Sequence, residues 1–200
     1  MSCHQKTIKT YDDSASDLAE YFKGIGPRVS DIEIAIDLVD SDLPIRAVEI
    51  GCGDGRDATE IIKRVSWYQG FDPSAEMLKI AKQTVPNGSF IKADALSFDY
   101  PHNLDVVFAF ASLLHVSKAD LTNVFRKVHK TLKPKGIFYI SLKESSHYTK
   151  AIKRDAFGER LFYFYNSSII KELAKGFKSI HEDHQKIGKT DWFTIALEKN

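Results

Sequence analysis

The sequence has few cysteines and no long apolar run, and both shortages limit what the protein can be. Its two cysteines, Cys3 and Cys52, offer no disulfide framework of the kind that staples small secreted domains. No apolar stretch approaches the roughly eighteen residues that span a bilayer, and residues 1–17 lack the apolar core of a secretory signal. We therefore expect one cytoplasmic domain over residues 1–200 that does not interact with membranes.

A strong net charge is also lacking. The formal net charge is +1, but residues 1–100 hold 11 Lys and Arg against 17 Asp and Glu, whereas residues 101–200 hold 17 against 10. This asymmetry favours either an anionic substrate on the C-terminal side or simply solvated helix faces. Because no dense Lys/Arg stripe accompanies it, the sequence disfavours a nucleic-acid partner. The seven histidines form no cysteine–histidine ligand set, so we expect no metal.

The pattern of apolar residues predicts strands that alternate with helices. Two amphipathic helices are predicted first, at residues 14–23 and 28–41. Five strands then follow at residues 46–50, 67–71, 90–93, 104–111 and 137–142, with helices at 56–65, 72–84 and 118–132 between them. A last helix at 167–176 precedes two strands at 177–187 and 192–198. This order predicts an α/β fold: a Rossmann-like, seven-stranded, mainly parallel sheet with helices on both faces and an antiparallel C-terminal strand.

The stretch VEIGCGDGRDA, residues 48–58, places three glycines between the first strand and the next helix. A dinucleotide-binding loop reads Gly-x-Gly-x-x-Gly, but the position that its third glycine would take is Arg56. Glu49 and Asp54 would repel a pyrophosphate and favour a ligand with positive charge. The loop therefore disfavours a nucleotide-dependent oxidoreductase and favours a cationic cofactor.

An acid followed by three alternating glycines resembles the first motif of the class I S-adenosylmethionine-dependent methyltransferases. Later positions support the resemblance, which covers residues 45–142. Asp72 resembles the acid that accepts from both ribose hydroxyls, although alone it fits a helix cap equally well. Asp94 resembles the acceptor of the adenine amino group, and the end of the fourth strand lines the methyl-transfer face. The resemblance implies S-adenosyl-L-methionine as cofactor, bound by Glu49, Gly51, Cys52, Gly53, Gly55, Asp72, Pro73, Asp94, Ala95, Ala111 and Ser112.

In this family the acceptor side and a lid usually come from the N-terminal helices and from the segment after the fifth strand. Here these are residues 1–44 and 143–200, which flank a cofactor-binding core at 45–142. From the first segment we expect Tyr11 and Arg28 to reach the cofactor, although Arg28 also fits a surface arginine. The residues expected on the substrate side are Tyr21, His115, His147, Arg160, Tyr163 and Tyr165.

Aromatic rings with polar tips are typical of a small-molecule pocket, although the rings of residues 161–165 could equally pack onto the core. His115 follows the fourth strand and is the candidate general base, with a loop cap as its alternative. We expect methyl transfer to a small molecule, with an RNA-modifying methyltransferase or a non-catalytic binding subunit of a partner enzyme as alternatives. The oligomeric state stays open.

Overall fold

The computed structural model describes residues 1–40 and 43–200, which form nine strands and seven α-helices. The strands are β1 Arg46–Ile50, β2 Trp67–Asp72, β3 Ser89–Lys92, β4 Leu104–Phe110, β5 Leu132–Lys143, β6 Thr149–Asp155, β7 Gly158–Phe164, β8 Phe177–Ile187 and β9 Thr190–Lys199. The helices are α1 Cys3–Asp13, α2 Ala15–Ile25, α3 Val29–Asp37, α4 Ala58–Ile61, α5 Ala75–Thr84, α6 Lys118–Thr131 and α7 Ser167–Leu173, with a 3₁₀ turn at Leu113–His115.

Seven strands form one sheet in the order β3-β2-β1-β4-β5-β9-β8. Strands β1 to β5 are parallel, and β9 is antiparallel to both of its neighbours. This confirms the predicted fold. The strand order reverses between β1 and β4, and in such sheets ligands bind at the carboxyl ends of the strands beside this switch point.

Two apolar cores cover the two faces of the sheet. Consecutive β1 residues belong to different cores: Val48 packs with the apolar face of α6, and Ala47 packs with α3 and α5. Strand β4 is buried at every position because it lies in the middle of the sheet. The sheet therefore holds the ends of β1 and β4 in fixed positions.

Two elements at the carboxyl edge were not predicted. Helix α1 begins with a capping box, in which Ser2 Oγ accepts from the Gln5 N–H and the Ser2 N–H donates to Gln5 Oε1. Strands β6 and β7 form a separate antiparallel hairpin, of which the sequence had indicated only a strand-like end. Both elements pack against parts of the chain that are distant in sequence, and local patterns carry no record of that packing.

Some predicted bounds were wrong. The helix expected at 56–65 is the single turn α4, because the N–H groups of Ser66 and Trp67 already donate to the Ile45 carbonyl and the chain must turn before β2. Helix α3 ends at Asp37, and Ser41, the predicted end, lies outside the described residues.

Within residues 1–40 and 43–200, every helix is too short or too polar to cross a membrane.

Candidate functional site

The three glycines of the loop after β1 have different surroundings. All have positive φ, at +69° for Gly51, +54° for Gly53 and +79° for Gly55, which side chains rarely tolerate. A Cβ on Gly51 would lie 2.3 Å from the Cβ of Ser112, and one on Gly55 would lie 3.1 Å from the Cα of Ala81. A Cβ on Gly53 would meet only the end of a flexible side chain, at 3.4 Å. Gly51 and Gly55 are therefore needed for packing, whereas Gly53 presents bare backbone.

Asp72, the last residue of β2, joins the glycine loop to the start of α5. Its Oδ2 accepts from the Gly53 N–H at 3.0 Å, and its Oδ1 accepts from the Ser74 N–H at 2.8 Å. The cap of α5 is Ser74, whose Oγ accepts from the Met77 N–H. Burial raises the pKa of Asp72 to about 6, despite these two hydrogen bonds. Each carboxylate oxygen keeps a free lone pair, so the residue fits two ribose hydroxyls, and this role stays a prediction.

Asp94 lies beside Asp72 because the Ala93 N–H donates to the Asp72 carbonyl. Its Oδ1 accepts from the N–H groups of Leu96 and Ser97, at 2.8 and 2.9 Å. Burial alone would raise the pKa of Asp94, but hydrogen bonds from Ser97 and Leu96 outweigh it and lower the pKa. A carboxylate ionised at neutral pH fits an adenine amino group, and this role also stays a prediction for Asp94, as does the contact expected from Ala95.

Three carboxyl groups lie in the glycine loop or within two residues of it. Glu49 is 2% exposed and accepts from the Tyr68 hydroxyl at 2.5 Å. Burial raises its pKa well above the usual range, and the nearby Asp57 and Asp54 raise it further. Arg56 pairs with Asp57 at 2.7 Å. Within the described ranges, no group of three or more His, Cys, Asp and Glu side chains is arranged to hold a metal ion. A bound organic cation would lower the raised pKa values of Glu49 and Asp54 and would be attracted by their carboxylates in turn.

The end of β4 holds a strained residue and an unpartnered hydroxyl. Ala111 has a φ of +51°, and its N–H donates to the Ser141 carbonyl. The Oγ of Ser112, which lies against Gly51, is buried and has no hydrogen-bond partner in the described part of the chain. Strained backbone and an unsatisfied buried polar atom both mark ligand-binding sites. The residues at this switch point therefore fit a bound cofactor. The thiol of Cys52, in contrast, is buried against Gly70, and the cofactor contact expected of this residue stays a prediction.

Helix α1 lies across this edge and brings Tyr11 to His115. His115 Nδ1 lies 2.6 Å from the Leu161 carbonyl and therefore carries the hydrogen, so Nε2 accepts from the Tyr11 hydroxyl at 3.0 Å. Burial lowers the pKa of His115 to about 3. With both nitrogens bonded, this histidine is a weak base in the observed arrangement. The geometry favours the alternative that it holds a loop, and the base role stays a prediction.

Arg160 joins the same group from the hairpin. It is 7% exposed, pairs with Asp155 and donates from Nη1 to the Tyr11 hydroxyl at 3.5 Å. Its guanidinium lies 5.4–5.8 Å from the ring centres of Tyr11, Phe157 and Phe162. The structure thus brings together Tyr11, His115 and Arg160, which were predicted from separate segments.

The other substrate-side predictions lie outside this group. Tyr165 is fully buried, and its hydroxyl donates to the Val116 carbonyl at 2.6 Å, which disfavours the substrate-side role that stays a prediction for it. Tyr163 stacks on Tyr148. Tyr21 is 55% exposed on α2, and His147 is exposed beside Ser146. The alternative considered for these rings was that they pack onto the core, and the position of Tyr165 matches this alternative.

Arg28 is a partly buried residue at the start of α3. Its backbone N–H donates to Asp57 at 2.8 Å, and its Nη1 lies 3.4 Å from both Asp31 Oδ2 and Ser141 Oγ. Its Nε is buried and has no partner among the described residues. A donor held in this way fits the carboxylate of a cofactor better than a surface arginine would, and this role stays a prediction.

Sequence reasoning missed two residues at this edge. Asp12 ties α1 to α5, because its Oδ1 accepts from the Ser74 hydroxyl at 2.6 Å and from the Glu76 N–H at 3.2 Å. Lys143 ends β5, and its Nζ lies 4.1 Å from the ring centre of Phe162 and 5.6 Å from that of Trp192. The position of Lys143 at the carboxyl end of a central strand was a usable signal. Asp12 had none.

Comparisons with known proteins agree with this geometry. A family model described as a methyltransferase domain matches residues 47–136. Trans-aconitate 2-methyltransferase of Rhodopseudomonas palustris (strain BisB18) is 32% identical over 139 residues, which are 66% of this chain and 53% of that protein. The chain therefore spans about half the length of this curated relative.

Solved structures share the fold. A SAM-dependent methyltransferase from Leishmania major aligns with a TM-score of 0.76 at 16% identity, covering 98% of this chain and 83% of its own. The 1,6-didemethyltoxoflavin-N1-methyltransferase of Burkholderia thailandensis, solved with bound 1,6-didemethyltoxoflavin and S-adenosylhomocysteine, aligns with a TM-score of 0.70 at 18% identity and covers 100% of this chain and 91% of its own. Residues 47–136 therefore match a methyltransferase domain, and the fold of the chain is that of the S-adenosylmethionine-dependent methyltransferases.

Proposed function

We propose that the protein transfers a methyl group from S-adenosyl-L-methionine to a small-molecule acceptor. The observation that carries this proposal is the arrangement at the switch point. There, bare backbone at Gly53, the carboxylate of Asp72 and the unpartnered hydroxyl of Ser112 lie around one loop. The cofactor, when bound, supplies a methyl group activated by a sulfonium.

The chain's own residues would bind and orient the two reactants. Asp72 and Asp94 would hold the ribose and adenine parts, and Gly53 would allow close approach of the methionine part. The buried carboxyl groups of Glu49 and Asp54 would ionise more readily beside a cationic cofactor, whereas a pyrophosphate would raise their pKa values further. Helix α1 would cover the site and exclude water. Positioning of this kind contributes on the order of 7–11 kcal/mol to such reactions, so a dedicated base is not required.

Trans-aconitate is the first acceptor to test. It is the acceptor in the name of the curated relative, and small carboxylic acids suit the basic C-terminal half of this chain. The identity of the acceptor is proposed separately from methyl transfer itself, because the aligned region spans only 53% of that relative.

Cofactor binding is tested by calorimetric titration with S-adenosylhomocysteine, with NAD as the comparison ligand. We expect S-adenosylhomocysteine to bind and to raise the melting temperature, and NAD to do neither. Asp72→Asn should weaken binding by about 1–3 kcal/mol, because the amide loses charge-assisted contacts. Asp99→Asn, at an exposed position outside the site, is the matched control. Stabilisation by NAD alone would contradict the assignment.

Activity is tested by transfer of labelled methyl to trans-aconitate. Label in the acceptor supports the finer proposal. Binding of S-adenosylhomocysteine without transfer to trans-aconitate would leave the methyltransferase proposal standing and remove this acceptor.

A further inference from the structure

Three cations lie on one face of the hairpin and at the adjacent end of β5. Lys143 Nζ lies 4.1 Å and Arg160 Cζ 5.5 Å from the ring centre of Phe162. Lys153 lies directly opposite Arg160 in the register of β6 and β7. We call Lys143, Lys153 and Arg160 the Phe162 cation cluster.

The charges in this cluster are not balanced. Asp155 pairs with Arg160, but in residues 1–40 and 43–200 neither Lys143 nor Lys153 has a carboxylate partner. Like charges directly opposite each other destabilise a strand pair, and an unpaired, half-buried ammonium adds to that destabilisation. Burial, together with the charges of Lys153 and Arg160, lowers the pKa of Lys143 to about 8, although Asp155 acts in the opposite direction. A bound anion would relieve both effects.

Unsatisfied donors point to the same place. Arg160 is 7% exposed, and its Nε is buried without a partner among the described residues. Trp192 connects this cluster to Arg28, because the Arg28 Cζ and the Lys143 Nζ each lie 5.6 Å from its ring centre. The donors therefore follow the carboxyl end of β5, beside the end of β4 where Ser112 lies.

We propose that Lys143 and Arg160, with Lys153 at the rim, form the subsite that binds the acceptor, and that the acceptor carries a carboxylate or phosphate group. The place of this subsite in the reaction rests on the proposed function, whereas anion binding by these residues does not. Lys143 would act as a residue that determines specificity, since it is the half-buried cation of the cluster that has no carboxylate partner in the described part of the chain.

Differential labelling tests the subsite without an activity assay. Lysines are acetylated with a trace of acetic anhydride and quantified by peptide mass spectrometry, with and without S-adenosylhomocysteine. The probes are citrate, inorganic phosphate and the neutral triethyl citrate. We expect citrate or phosphate to protect Lys143 and triethyl citrate to leave it unprotected. Citrate alone would indicate a carboxylate acceptor, and phosphate alone a phosphorylated one. Protection by neither anion overturns the proposal.

Calorimetric titration of the protecting anion into variants completes the test. Lys143→Met keeps the stem on Phe162 but removes the charge, and we expect affinity to fall at least about tenfold. Lys143→Arg should keep most of the affinity. Lys150→Met, at an exposed position on the same hairpin, is the matched control and should stay within about twofold of wild type. Unchanged affinity in Lys143→Met overturns the proposal, even if Lys143 was protected.

Titration with S-adenosylhomocysteine in the same preparations separates the two hypotheses. If S-adenosylhomocysteine fails to bind while citrate protects Lys143, the proposed function fails and the subsite stands. If S-adenosylhomocysteine binds and no anion does, the subsite fails alone.

Discussion

The pKa values of Asp72 and His115 at this site depend on burial more than on nearby charges. Asp72 has a raised pKa of about 6 although it accepts two backbone hydrogen bonds, and His115 has a lowered one of about 3 although it donates to a carbonyl. Both groups are therefore held towards their neutral forms. The consequences differ between the two residues. Asp72 must be ionised to bind the cofactor as proposed, whereas His115 is held neutral in the observed arrangement.

The affinity for S-adenosylhomocysteine should fall in acid because of Asp72. Only the ionised carboxylate accepts from two ribose hydroxyls, so below pH 6 the affinity should fall up to about tenfold per pH unit. Titration between pH 7.5 and pH 5 measures this. The Asp72→Asn variant should show a flatter profile, and equal slopes in both proteins would rule out Asp72 as the titrating group.

His115 should matter for stability rather than for proton removal. As pH falls from about 6.5, the unfolded chain gains a proton at this position and the folded chain does not, so the free energy of unfolding should decrease. Between pH 7 and pH 5, wild type should lose about 2 kcal/mol more than His115→Gln in urea unfolding. His102→Gln, at an exposed position, is the control.

A different pair of results would identify His115 as a general base. If His115→Gln unfolds like wild type at both pH values but loses an ionisation near neutrality from its pH–rate profile, the residue is a general base.

At the scale of elements, the glycine loop has two roles, packing and the proposed cofactor binding, and different substitutions should affect them separately. Gly51→Ala should lower the free energy of unfolding by about 2–5 kcal/mol, since its Cβ would overlap that of Ser112 and its φ is positive. Gly53→Ala adds only backbone strain, about 1–2 kcal/mol, but should weaken S-adenosylhomocysteine at least tenfold. Chemical unfolding and calorimetry measure the two effects.

Gly24→Ala, in the last turn of α2, is the control for this pair; no atom of the described residues lies within 4 Å of the added Cβ, so the change should be neutral or stabilising. Equal losses of stability at Gly51 and Gly53 would show that the loop has one task only.

Helix α1 depends on side chains that hold it to other elements. Asp12 binds the start of α5, and Thr7, Thr10 and Ser14 bond to the backbone of residues 157–161. Asp12→Ala should therefore speed amide hydrogen exchange in α1 and leave that of β4 unchanged. Asp13→Ala, whose partner is the exposed Lys9, is the matched control. Faster exchange throughout the sheet would mean that α1 is part of the global folding unit.

For the whole molecule, much could be predicted because it depends on local patterns. The seven-stranded sheet follows from short apolar runs separated by turn residues, and the glycine loop and Asp72 follow from spacing within the first three strands. The positions of helix α1 and the hairpin could not be assigned in the same way, because they depend on contacts between distant segments, whereas Lys143 had a usable signal at the end of a central strand. Tyr165 resembled a pocket residue for the same reason, since only the fold shows that its hydroxyl reaches the Val116 carbonyl.

The attachment of α1 to the hairpin makes one cover out of two elements. Thr7 accepts from the Leu161 N–H, while Thr10 and Ser14 donate to the carbonyls of Glu159 and Phe157, so the part over the proposed cofactor site and the part beside the proposed acceptor site are joined at three points. In the proposed reaction, both products would leave only when this joined cover opens. We therefore expect the rate of opening to set an upper limit on turnover, whatever the speed of the methyl transfer itself.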